Sequence, residues 1–150
     1  MYEGLVHAHS GLRWVVLLGG IYAIMVAYKA WKGNQAFVGS VKSAGTIFLS
    51  SLHLQFVLGL ILYFMSPWFQ ALKDDASAVM GNSVARFYAV EHISMMLVAV
   101  IIATIGSAKS KRKADAAAKS KTRFIWFLIA MVIILISIPW PMRFENAGWF

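Results

Sequence analysis

Four apolar stretches, each close to the length of a membrane crossing, constrain this chain more than any other feature. They run from about Leu5 to Trp31, Gly45 to Ser66, Val84 to Gly106 and Phe124 to Ile138. An α-helix needs roughly 20 apolar residues to span a ~30 Å hydrocarbon core. The last stretch is the shortest, and Pro139 and Pro141 bend or end it. With 60% hydrophobic and 13% charged residues among 150, and a mean hydropathy of +0.69, the chain has too little charge to coat a soluble domain. The expected fold is all-α, a single integral-membrane four-helix bundle over residues 1–150.

The net charge of +8 is a topology signal once it is located. Lys29, Lys32 and Lys42 flank the first connection without an acid, and Lys109, Lys111, Arg112, Lys113, Lys119, Lys121 and Arg123 flank the third against Asp115 alone. The second connection balances Lys73 and Arg86 against Asp74 and Asp75, and the C-terminus balances Arg143 against Glu145. Alternating basic and neutral ends follow the positive-inside rule, so both termini are expected on the outer, periplasmic side of a bacterial inner membrane. Contact with anionic lipid is a secondary role for the basic loops, and no nucleic-acid partner is expected. Trp68 and Trp140 fall at the expected outer interface, Trp31 and Trp126 near the inner one. Pro67 stops the second helix, Asn82 or Ser83 caps the third, and the stretch from Ala71 to Asn82 reads as a short interfacial segment. The first apolar stretch is too long, and lacks the basic lead, for a cleavable signal peptide. The absence of cysteine excludes thiolate-held Fe–S clusters, disulfides and c-type haem attachment. No internal repeat, phosphate-binding loop or nucleophile triad is present.

Three of the four helices carry a histidine: His9 (with His7 nearby), His53 and His92. Ionisable residues within a membrane span are functional-site candidates by default, and histidines on separate helices of one bundle suggest ligands for a buried metal, above all haem. Measured outward from the basic residue at each helix end, His9 lies about 30 Å from Lys29, His92 about 26 Å from Lys109 and His53 about 17 Å from Lys42. His9 and His92 form the better-matched axial pair, while His53 with His92 stays open. His7 points about 200° away from His9 and is expected to face solvent. Arg13 shares the His9 face, where it can snorkel or bind a carboxylate. Gly20 continues that stripe and admits a flat cofactor or a partner helix. Glu91 adjoins His92 and can pair with Arg13 across the bundle, or orient a ligand. Met95 and Met96 are alternative axial ligands, though packing residues by default. Gln55 is a possible donor to a quinone carbonyl. A hydrogen-bonded packing network is the plainer reading of the same polar residues.

The run His9-Ser10-Gly11-Leu12-Arg13-Trp14, then Leu52-His53-Leu54-Gln55 leading to Leu60-Ile61-Leu62-Tyr63-Phe64, resembles a family of small four-helix bacterial membrane proteins. Arg86-Phe87-Tyr88-Ala89-Val90-Glu91-His92 and Ile138-Pro139-Trp140 fit the same pattern. These proteins, found mostly in Bacteroidetes, are commonly labelled "cytochrome b"-like, and the resemblance covers nearly the whole chain. Four-helix di-haem cytochromes b use ligands on the last helix, where this chain has no histidine, so one b-type haem per chain is the supported number. The expected function is electron transfer between a quinol or a partner redox subunit and an acceptor. The alternatives are a haem-free accessory subunit of a membrane complex, or a quinone- or proton-handling protein built on His53, Gln55 and Glu91.

Overall fold

The computed structural model describes residues 1–142 and 144; the expected Arg143 and Glu145 charge balance lies outside them. The described chain is helical, with no strand. Four helices are long and apolar enough to cross a membrane: α1 (Tyr2–Lys32), α2 (Ser40–Met65), α5 (Ser83–Lys111) and α6 (Ala116–Ser137). The chain is a multi-pass membrane protein. Two short helices, α3 (Pro67–Asp74) and α4 (Ala76–Gly81), fill the connection between α2 and α5.

Each long helix runs beyond its apolar stretch at one or both ends. Hydropathy marks what enters hydrocarbon, whereas backbone bonding continues until a cap or proline stops it. Asp115 starts α6 by accepting from Ala118 N at 2.7 Å, and Asn82 starts α5 by accepting from Val84 N and Ala85 N. Pro67 ends α2 as expected and opens α3 at its first turn, with Ser66 as the cap. The segment between α2 and α5 therefore consists of two capped helices.

Around the bundle the order is α1, α2, α5, α6, which sets α1 diagonally across from α5. The pairs α5–α6, α1–α2 and α1–α6 pack extensively, and α2–α5 least. The reason lies in where the small residues are. Toward the basic end the helices meet over Ala23, Ala27, Ala30, Ala44, Ala99 and Ala103, all buried. In a bilayer, where apolar surface gains little by hiding from lipid, such close backbone approach supplies the packing that holds helices together. Gly20 lies under Met131 and Phe48, and Gly106 under Trp126. Gly20 thus accommodates partner helices rather than a cofactor.

Arg123, expected among the topogenic loop cations, is buried at 1% exposure. Its Nη1 donates to the Val41 carbonyl at 2.8 Å, its guanidinium sits 4.4 Å from the Phe37 ring centroid, and Gly45 leaves the space it occupies. It ties the α1–α2 connection and the start of α2 to α6. Gly106→Val would push a side chain into Trp126, and overpacking of this kind costs about 1–3 kcal/mol. We expect a lowered unfolding midpoint in detergent for that variant. Ile105→Val, at an exposed position, should stay within about 0.5 kcal/mol of the parent.

Candidate functional site

Beyond Leu52, α2 buries no residue completely. It diverges from α5 toward the end of the bundle that carries the chain's start, and a cavity of about 680 Å³ opens there. Val16, Leu52, Val100 and Ile134 line its deep end; His9, Arg13, Gln55, Gly59, His92 and Met96 its middle; Tyr2, Tyr63, Trp68 and Tyr88 its mouth. Cavities of this size, largely apolar with a few polar groups, are the usual form of a ligand or cofactor site.

His9 and His92 enter this cavity from the two diagonal helices. The setting of His92 is built from sequence. Pro139 and Pro141 have no N–H to give the carbonyls four residues earlier, those of Leu135 and Ser137. Two side chains serve those carbonyls instead: Trp140 Nε1 donates to Leu135 O at 2.9 Å, and His92 Nδ1 donates to Ser137 O at 2.6 Å. A carbonyl can only accept, so His92 carries its proton on Nδ1 and keeps the Nε2 lone pair available. A π-helical turn, Phe87–Glu91, directly precedes His92, with His92 N bonded to Phe87 O. Such a turn inserts one residue into the helical register and often marks a functional site. The carbonyl of Ala89 within it accepts from Tyr63 Oη of α2 at 3.0 Å, a bond that spans the α2–α5 divergence.

His9 is held differently. Its imidazole lies over Gly59, where a Cβ would fall 3.0 Å from His9 Cε1. Gln55 Nε2 donates to the His9 carbonyl at 2.8 Å. His9 Nδ1 and Gln55 Oε1 are both buried without a hydrogen bond among the described residues. Arg13, one turn along α1, is buried beside Trp14 and Trp140, with ring centroids 5.6 and 5.9 Å from its Cζ. Among the described residues that line the cavity, Arg13 is the one with a permanently charged side chain.

The other expected site residues lie elsewhere. Glu91 does not pair with Arg13; its Oε1 bonds Arg86 Nε at 2.7 Å, five residues earlier across the π-helical turn. His53 is exposed on the flank of the bundle, bonded through Nδ1 to Leu49 O at 2.6 Å and through Nε2 to Thr104 Oγ1 at 3.2 Å. The residues His53, Gln55 and Glu91, the basis of the alternative quinone or proton site, are not brought together: only Gln55 lines the cavity. His7 is exposed. Among the described residues no three His, Cys, Asp or Glu side chains gather as a metal-ion cluster, so His9, His53 and His92 do not form a common ligand set. Gly59, Tyr63 and Ser137 were not anticipated from sequence; only the spacing of the two prolines pointed toward the last.

No known protein family, curated protein or solved structure matches the chain.

Tyr63→Phe removes the hydroxyl that serves Ala89 O across the divergence. The loss should cost about 1 kcal/mol, read as a lower unfolding midpoint in detergent. An unchanged midpoint would mean that this bond does not hold α2 to α5.

Proposed function

We propose that the chain is a b-type cytochrome of a bacterial inner membrane, with one haem in the cavity between α1 and α5 and both termini on the periplasmic side. The observation that carries this reading is the meeting of His9 and His92, from diagonal helices, in one cavity of about 680 Å³. The residues fit the group. Two imidazoles are the donor count a haem needs, because the macrocycle supplies the remaining nitrogens. His92 is set by Ser137 in the tautomer a metal requires. His9 Nδ1 and Gln55 Oε1 are buried polar atoms left unpaired beside the same cavity, and Gly59 makes room for the ring.

When bound, a b-type haem supplies a one-electron iron couple. His9 and His92 would hold it through neutral imidazole nitrogens. Arg13, which lines the cavity, would neutralise a propionate through charge-assisted hydrogen bonds. Val16, Leu52, Val100 and Ile134 exclude water from the deep end and lower the local dielectric. A cofactor at one end of the bundle does not bridge a ~30 Å core, so a quinol or a partner redox subunit would be the other terminal. His53 supports a partner subunit: ionisable residues inside membrane proteins rarely face lipid, yet His53 is exposed within its span.

The reduced-minus-oxidised spectrum of detergent-purified protein, with pyridine haemochrome stoichiometry, tests the proposal. We expect a b-type spectrum at about one haem per chain, the donor count being that of a single bis-imidazole site. His92→Ala should lose haem, His9→Ala should change the absorption spectrum, and His53→Ala should leave the spectrum unchanged. Protein that stays colourless after haem-supplemented expression would refute it.

A further inference from the structure

The two histidines of the cavity are held with very different strength, and the difference has a chemical consequence. His92 is fixed by a 2.6 Å hydrogen bond to the Ser137 carbonyl. That carbonyl is available because the residue four positions on is Pro141. The ring also packs against Phe87 at a centroid distance of 5.9 Å. A metal-binding imidazole anchored through its second nitrogen keeps its orientation when its ligand bond is challenged. His9 has no such anchor. Its Nδ1 makes no hydrogen bond that meets geometric criteria among the described residues, and the Gln55 backbone is the polar group that approaches the ring. The ring rests in a notch that exists because residue 59 is glycine. It stands two turns from the start of α1, whose N-cap makes no side-chain hydrogen bond. The cavity flank at this level is the α2–α5 side, where helix packing is weakest, so a displaced imidazole has space to move into.

Resting on the cytochrome reading, we infer that His92 is the permanent axial ligand and His9 an exchangeable one, and that the site binds small neutral diatomic gases in place of His9. In this exchange the iron–nitrogen bond to His9 breaks and a bond from the gas molecule's donor atom forms. The iron keeps its oxidation state, and no proton need move, since the imidazole leaves neutral. The apolar deep end of the cavity suits an uncharged diatomic and disfavours a charged anion.

The test is carbon monoxide added to the dithionite-reduced, haem-loaded protein in detergent, followed by absorption difference spectroscopy. We expect a carbon monoxide complex in the wild-type protein. His9→Ala should retain its haem and bind more tightly, because the competing ligand is gone. Gly59→Ala, whose Cβ would fall 3.0 Å from His9 Cε1 and crowd that ring out of its notch, should raise apparent affinity by about tenfold. His92→Ala should lose haem. A wild-type spectrum indifferent to carbon monoxide, or a His9→Ala protein that loses haem as readily as His92→Ala, would overturn the inference while leaving the cytochrome reading intact. Protein that takes up no haem at all would overturn that reading first.

Discussion

Everything at the functional end of this bundle depends on how closely the helices approach at the other end. Small side chains from Ala23 to Ala30 on α1, at Ala44 on α2, and at Ala99 and Ala103 on α5 let backbones meet there, and Arg123 pins the start of α2 to α6. Close packing at one end fixes the helix directions, and α2 then leaves α5 beyond Leu52. The cavity follows from that divergence. Its floor is the edge of the tightly packed half, so enlarging a residue there would alter the pocket as well as the stability.

A membrane interior gives unsatisfied polar groups no water, so each backbone carbonyl freed by an irregularity needs a local donor. Two prolines and a π-helical turn free several such groups near the cavity, and their partners organise the site. Trp140 takes Leu135 O, His92 takes Ser137 O and Tyr63 takes Ala89 O. Satisfying the backbone thus orients His92 and bridges α2 to α5 with the same bonds. His9 stands outside this scheme, held by shape against Gly59 rather than by a hydrogen bond.

The spans were legible because hydrocarbon thickness imposes a length that composition alone reveals, and Pro67 and Asn82 marked real boundaries. That His9 and His92 line one cavity was legible from depth: residues at one level on two helices can share a cavity. Facing was not legible for His53 or Glu91. A nearly uniform apolar helix carries little periodicity to say which side is buried, and His53 falls on the outer flank. Glu91 was misjudged because the π-helical turn shifts the register through Phe87–Glu91, so a partner five residues back, Arg86, comes within reach. Arg123 was counted with its neighbours in a basic run, and nothing in that run says that one member turns inward beneath Phe37.

A bundle closely packed at its basic end and opened at the other, with the oriented imidazole of His92, His9 and Arg13 lining the opening, is the arrangement on which the proposed haem site rests. The central claim is positional, namely that iron lies between α1 and α5. Anomalous diffraction at the iron absorption edge, from crystals of haem-loaded protein, tests it most directly. A single anomalous peak within reach of both His9 and His92 is the result expected. A peak beside His53, or haem-loaded crystals with no iron in the cavity, would contradict the account.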